Sequence, residues 1–279
     1  MFKKIMMTMA AMILSLPFVT AEEKEGTEGL KVMSYNIRLG SADDKTNSWA
    51  LRYTATEEML KDQAPDVFGV QEALEYQVRY IKEMCGYECV GVGRENGKKA
   101  GEHMSIFWNK KTVKMLKWGT FWLSETPKKP SMGWDAACFR TATWALMKDK
   151  KTGKKFYFVN TQLDRKGKEA QKNGLKLIVD RIAQINPDGY PMVLTGDFNM
   201  EPDNSNLAEL DSKMQSARKI AAKTDSHDTF NGWGRGKGII DYIYVSGFSS
   251  CPEYQTITKR YADRKFVSDH YPVCAKLIF

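Results

Sequence analysis

The chain alternates short apolar runs with polar clusters, and most of the runs carry the two-residue period of a β-strand. Leu30 to Ile37, Asp66 to Glu72, His103 to Trp108, Val113 to Leu123, Arg140 to Met147, Lys155 to Leu163, Met192 to Leu194, Ile239 to Val245 and Pro272 to Phe279 read as strands. Two stretches change period. Trp49 to Lys61 spaces Trp49, Tyr53, Met59 and Leu60 as a helix stopped by Pro65. Glu169 to Ile185 sets Leu175, Ile178, Ile182 and Ile185 along one side before Asn186-Pro187. The polar stretch from Met200 to Gly238 predicts irregular structure. Strands interleaved with helices predict an α/β protein.

Several strands end in a group with chemistry. Met192-Val-Leu-Thr-Gly-Asp-Phe-Asn-Met200 closes a buried strand with Asp197 and Asn199 on either side of Phe198. Alternate residues of an extended chain share a face, so both polar heads point into one cleft while Phe198 packs inward. A carboxylate beside a carboxamide suits activation of water and the holding of an anion, although such residues also make ordinary Asx-rich loops. Asn36 lies near the end of the first strand, Glu72 ends the second, and Gln162 sits near the end of a third. Asp241 is embedded among apolar neighbours, and a buried carboxylate needs a partner. Ser268-Asp-His270 supplies Asp269 and a histidine beside it. Arg140 opens its strand, where its fork suits either a phosphate or a structural ion pair. Trp118, Phe121 and Trp122 fit core and cleft wall better than an exposed stacking surface, and His227 reads as a surface histidine.

The first residues carry a different signal. Lys3 and Lys4 precede an apolar run from Ile5 to Leu16, and Val19-Thr-Ala21 is a small-residue cleavage site. Residues 1–21 therefore read as a secretory signal peptide, 22–29 as a flexible segment and 30–279 as one domain. The apolar run is too short for a comfortable membrane span, so an exported, non-membrane monomer is expected, periplasmic or extracellular. Net charge is +8 from 42 Lys and Arg against 34 Asp and Glu, a mild excess compatible with an anionic substrate. The Lys and Arg are spread along the chain, which argues against a clustered nucleic-acid patch. Five Cys are an odd number for an oxidising compartment; Cys85 and Cys89 are near enough to bridge across Gly86-Tyr87, an option the sequence leaves open. No Cys and His spacing makes a zinc site.

Five segments stand in one order: Ser34-Tyr-Asn36, Gln71-Glu72, Thr195-Gly-Asp-Phe-Asn199, Ile240-Asp-Tyr-Ile243 and Ser268-Asp-His270. The series resembles the endonuclease/exonuclease/phosphatase family, which includes pancreatic deoxyribonuclease, and with Trp49-Ala-Leu-Arg52 it looks most like the secreted bacterial branch. The resemblance implies a four-layer sandwich, with two mixed β-sheets packed face to face and flanked by helices. It implies Mg²⁺, or Mn²⁺, held by Glu72 with Asn36 and Asp269, since hard oxygen donors are what Mg²⁺ prefers. By the same resemblance Asp197 orients or deprotonates the attacking water, and Asn199 holds the phosphate. His270 donates to a phosphoryl oxygen and Asp241 orients that histidine. Relatives often carry Asn-Thr-His where this chain has Asn160-Thr161-Gln162; a neutral Gln still donates a hydrogen bond but carries no charge. The implied function is hydrolysis of a phosphodiester or phosphomonoester. Its substrate is left open between nucleic acid, phospholipid headgroup and sugar phosphate. The alternative is a weakened member that binds a phosphorylated ligand or a partner protein.

Overall fold

The computed structural model describes residues 29–279, so the leader and residues 22–28 lie outside the described residues. In chain order the strands are β1 (Leu30–Asn36), β2 (Val67–Gln71), β3 (Glu88–Val90), β4 (Ile106–Trp108), β5 (Val113–Trp122) and β6 (Thr141–Asp149). They continue with β7 (Lys155–Gln162), β8 (Met192–Asp197), β9 (Gln215–Ser216), β10 (Asp241–Ser246), β11 (Ser250–Thr256) and β12 (Val273–Ile278). Three main helices are α1 (Trp49–Gln63), α2 (Glu75–Cys85) and α3 (Lys168–Ile185). One sheet runs β11-β12-β1-β2-β4-β3 and the other β5-β6-β7-β8-β10-β9. Each is mixed, since β1 pairs β2 and β7 pairs β8 in parallel among otherwise antiparallel neighbours.

The two-residue period explains why the layers separate. Val32, Val67, Phe158, Val193 and Ile243 fill the space between the sheets. The intervening Met33, Tyr35, Phe68 and Val70 face outward with Ala55, Met59 and Ile81 of α1 and α2. On the second sheet Val159, Leu194, Tyr242 and Tyr244 pack with Leu175, Ile178 and Val179 of α3. Helix, sheet, sheet and helix therefore stack as a four-layer sandwich.

The inner faces also change character along their length. Val32, Ser34 and Asn36 succeed one another on β1; Val67, Gly69 and Gln71 on β2; Phe158, Asn160 and Gln162 on β7; Val193, Thr195 and Asp197 on β8. One end of the sandwich is apolar, its middle is a polar belt and the other end is charged. Asn160, fully buried, bridges the sheets within this belt. Its Nδ2 donates to the Val70 carbonyl at 2.8 Å and the Ser105 carbonyl at 3.1 Å. Its Oδ1 accepts from Gln71 Nε2 at 2.7 Å and Thr195 Oγ1 at 3.1 Å. Gly69 makes room: a Cβ there would lie 2.3 Å from the Asn160 carboxamide.

Differences from the sequence reading have local causes. Tyr53 is 38% exposed while Arg52 is buried, because α1 turns its charged residue inward. α2, β3 and β11 were not foreseen; α2 buries Gln77 beside Val78 and Ile81, and β11 carries Pro252 and polar residues. A bulge between Met115 and Lys117 breaks the period of β5, and Trp118 emerges 39% exposed, whereas Phe121 and Trp122 are buried. Some lysines spread along the chain meet in space. Lys114, Lys148 and Lys155 are cross-strand neighbours at the end of the sandwich away from Gln162. All five Cys are free thiols, Cys85 and Cys89 included.

The Asn160 bridge makes the first prediction. Asn160→Ala strands two donors and opens a polar gap, and should cost about 3 kcal/mol in urea unfolding. Gly69→Ala should also destabilise, and the double variant should lose less than the sum, since the crowding partner has gone. Additive losses would place the crowding elsewhere.

Candidate active site

The charged end opens as a cleft of about 420 Å³ whose lining includes Glu72, Gln162, Asp197, Asn199, Asp269 and His270. Strand register brings the groups together. Gln162 and Asp241 flank Asp197 as its partners on β7 and β10, and Asn36 ends β1 opposite Gln71. The chain leaves β2 and β8 sharply: Glu72 has φ 64° and Asn199 φ 51°. Such left-handed geometry is tolerable for Asn and costs Glu roughly 1–2 kcal/mol, so the surroundings must hold Glu72 in place. The leucine backbone amide at position 39 does so, donating to Glu72 Oε2 at 3.0 Å. β8 ends before the expected alternation reaches Asn199. Phe198 still packs away, stacked on Tyr242 and Tyr244 against the α3 layer, and Asn199 reaches the cleft through its turned backbone.

Asp197 is the centre of a converging network. Its Oδ2 accepts from Asn36 Nδ2 and from Gln162 Nε2, each at 3.0 Å, and its Oδ1 from the Asn199 backbone amide at 3.0 Å. Burial pushes its carboxyl up to about 6; His270 opposes the shift, and Asp241 and Glu72 reinforce it. Gln162 also donates to Glu72 Oε1 at 2.9 Å, so its amide nitrogen bridges two carboxylates. The amide is held this way because Arg140 Nη1 donates to Gln162 Oε1 at 2.9 Å. Arg140 itself bonds Asp164 Oδ2 through Nε at 3.1 Å, the ion-pair alternative of its two sequence readings. Asn199 Nδ2 donates to the Leu163 carbonyl at 3.1 Å.

Beside Asp197 stands His270. Its Nδ1 lies 2.8 Å from Asp241 Oδ2, while Nε2 points towards Asn36 and the interior of the cleft. Thr229 Oγ1 accepts from the Ile240 and Asp241 backbone amides at 3.0 Å, anchoring the start of β10. Burial disfavours a charged imidazole here, yet Asp241, Asp197 and Asp269 outweigh it and raise His270 to about 10. At neutral pH the ring is an imidazolium, with Nδ1–H given to Asp241 and Nε2–H available to the cleft.

Glu72 and Asn36 adjoin, with Asn36 Nδ2 at 3.2 Å from Glu72 Oε1. Asn36 Oδ1 accepts the Arg38 backbone amide at 3.0 Å, and Arg38 Nη1 lies 3.5 Å from Asp269 Oδ2. Burial raises the Asp269 carboxyl, with Glu72 adding to the shift. Glu72, Asp197 and Asp269 line the same cleft with hard carboxylate oxygens, a donor type that suits a hard divalent cation. Asp197, Asp241 and His270 also cluster closely enough for a common ion. Within that trio His270 Nδ1 is already taken by Asp241 Oδ2 at 2.8 Å, as a hydrogen-bonded pair. Arg38 lines the cleft beside Asp269, while Arg52 and Gln77 lie behind it; sequence reading gave none of the three a role, since a buried Arg or Gln leaves no periodic signal.

The profile of the Endonuclease/Exonuclease/phosphatase family matches residues 33–270. A Bacteroides vulgatus endonuclease/exonuclease/phosphatase structure is 34% identical, with TM-score 0.84, over 90% of this chain and 99% of that one. The Bacteroides thetaiotaomicron mannosyl-6-phosphatase is 33% identical, with TM-score 0.85, over 90% and 100% of the two chains. The human Nocturnin catalytic domain with bound sulfate, at 19% identity and TM-score 0.71 over 90% and 94%, shares the fold. An uncharacterized protein of Acanthamoeba polyphaga mimivirus is 24% identical over 88% of this chain and 98% of its own. With a family match spanning most of its length, on a sandwich of the same architecture, the chain belongs to the endonuclease/exonuclease/phosphatase family.

Proposed function

We propose that the protein is a divalent-cation-dependent phosphohydrolase acting on a small phosphate ester, with a sugar phosphomonoester as the first substrate to test. The observation that carries this reading is a buried carboxylate, lifted to about 6, beside a histidine held by Asp241, the three groups lying within 4.8 Å of one another in one acidic cleft. Asp197 is in the range where a group accepts a proton at neutral pH, so it takes the proton of the attacking water. The water oxygen bonds to phosphorus as the bond from phosphorus to the leaving oxygen breaks, and that oxygen departs as the alcohol on taking a proton from solvent water. His270 donates Nε2–H to a phosphoryl oxygen, where negative charge grows, and Asp241 keeps the ring charged and oriented. Asn199 holds the phosphoryl group from the other side.

Glu72, Asp269 and Asn36 would hold Mg²⁺ or Mn²⁺; for Asn36 this takes a half-turn of its amide, so that the oxygen faces the cleft. The cation supplies neutralisation of phosphoryl charge. Gln162 takes a role different from the expected phosphate donor: it braces Glu72 and Asp197, the two carboxylates that otherwise repel. The size of the cleft and the mannosyl-6-phosphatase similarity favour a compact sugar phosphate over a duplex. Export of a monomeric mature chain, on the leader pattern, completes the reading; among the described residues no helix is long and apolar enough to cross a membrane.

Chelation with EDTA should abolish hydrolysis of mannose 6-phosphate, and Mg²⁺ or Mn²⁺ should restore it. Glu72→Gln should lower kcat/KM at least about 10²-fold at fixed cation. Activity undiminished in EDTA would sink the cation. No turnover of any monoester or diester, with retained phosphate binding, would favour the weakened-member alternative.

Asp241→Asn should lower kcat by about 10²-fold with the fold intact. The metal-free protein offers a separate check. His270 rises from 6.5 to about 10 on folding, so its contribution to stability is full below pH 6.5 and is lost as pH climbs through 10. The asparagine variant should flatten that decline in urea-unfolding free energy between pH 6.5 and 10. An unchanged slope would mean that Asp241 does not hold the imidazolium.

Gln162→Ala should lower kcat/KM about tenfold, equivalent to ~1.4 kcal/mol of transition-state stabilisation. Gln162→Glu should do worse, because it adds a third negative charge where Glu72 and Asp197 already repel. Equal kcat/KM for the two variants would remove the bracing role.

A further inference from the structure

Arg52 is 1% exposed, and among the described residues no carboxylate bonds its guanidinium. Every donor it uses goes to backbone oxygen: Nε to Asn47 at 3.0 Å, Nη1 to Val267 at 3.0 Å and Nη2 to Arg38 at 3.2 Å. Trp49 and Trp233 approach the guanidinium at 5.1 and 5.7 Å from their ring centroids. A buried cation with no carboxylate bonded to it is expensive, although Asp269 and Asp44 favour its charge from further off, and packing alone would be served as well by Met or Leu. Its placement gives the reason. The Arg38 carbonyl is two residues from Asn36, and the Val267 carbonyl two residues from Asp269.

A second buried side chain meets the same carbonyl. Gln77 of α2 donates Nε2 to the Arg38 carbonyl at 3.0 Å, and its Oε1 accepts the Gly40 amide at 2.9 Å and the Leu74 amide at 3.0 Å. Leu74 is two residues from Glu72. The strained turn at Arg38, with φ 65°, is thereby fixed from both helices. All three groups assigned to the cation hang from loops that Arg52 and Gln77 tie together. These bonds lie outside the cleft, and neither residue lines it.

We infer that Arg52 and Gln77 are positioning residues that set the cation affinity of the cleft by clamping, at the Arg38 and Val267 carbonyls, the loops that present Asn36, Glu72 and Asp269. The inference rests on the cation reading above. It does not reduce to general stability, because the clamped carbonyls are doubly served. Val267 also accepts from Tyr35 Oη at 3.1 Å, and Arg38 keeps Gln77 when Arg52 is lost. Removing one side chain therefore orphans neither carbonyl but frees its loop to shift.

The test is Mn²⁺ binding to the full chain, followed by the electron paramagnetic resonance of the free ion, beside thermal melting of the metal-free protein. Arg52→Met should weaken Mn²⁺ at least about tenfold while melting within about 4 °C of the wild type; Gln77→Leu, which also strands the Gly40 and Leu74 amides, should weaken it as far and melt lower. Arg52→Lys should remain weak, since one ammonium cannot span three carbonyls. Unchanged affinity in the Met and Leu variants overturns the inference alone. So does full recovery with Lys, which would assign the effect to charge, and so does a loss of affinity that only tracks lost stability. A wild-type protein that takes up no Mn²⁺ overturns the cation reading itself, and the clamp with it.

Discussion

The hydrogen bond from Gln71 Nε2 to Asn160 Oδ1, at 2.7 Å, ties the two sheets together directly behind the cleft. Gln71 precedes Glu72 on one sheet, and Asn160 is two residues from Gln162 on the other. Asn36 and Glu72 ride on the first sheet, Gln162, Asp197 and Asp241 on the second, and no chemistry follows unless the two are held at one spacing. Apolar packing between sheets is strong but tolerant of small slips. A fully satisfied carboxamide is not, because any slip strands a buried donor or acceptor at a cost of about 1–3 kcal/mol. The belt of Ser34, Gly69, Asn160 and Thr195 thus converts a cohesive core into a defined separation.

Beyond the belt the fold concentrates charge at the cost of stability. Asp197, Glu72, Asp241 and Asp269 are drawn together where water is scarce, and Asp197 and Asp269 are pushed up by that burial. His270 and Arg38 relieve part of the excess. On the proposed reading, what is left over would suit a divalent cation, and the same burial would make Asp197 the base. The strained backbone at Glu72, Arg38 and Asn199 belongs to the same exchange, since each turn redirects a side chain that an unstrained strand would have aimed elsewhere.

Much of this was legible in the sequence because the strands obey a two-residue period. Val193, Thr195 and Asp197 already spell the passage from core to belt to cleft, and five short segments in order carried the family resemblance. What escaped reading was whatever breaks a period or reverses a usual preference. Arg52 was passed over in favour of Tyr53, since arginine ordinarily faces water. α2 hides its main role in one buried glutamine. Lysines far apart in the chain meet because β5, β6 and β7 are adjacent, a fact of topology that local patterns do not contain. The roles of Gln162 and Arg140 were also open, because their partners come from different strands.

That pair bears on how the site manages without the histidine common at this position among relatives. A histidine facing Glu72 and Asp197 would bring a titratable proton. Gln162 brings two amide hydrogens that stay at any pH, and the positive charge sits one residue back on Arg140, bound to Asp164. The guanidinium fixes the amide by its oxygen, so the nitrogen can only face the carboxylates. Charge and hydrogen-bond donation, combined in one imidazolium elsewhere, are here divided between two side chains. On the proposed reading His270 supplies the imidazolium that Gln162 does not, held by its bond to Asp241 in a cleft that Arg38, Arg94, Arg165 and Lys166 also line.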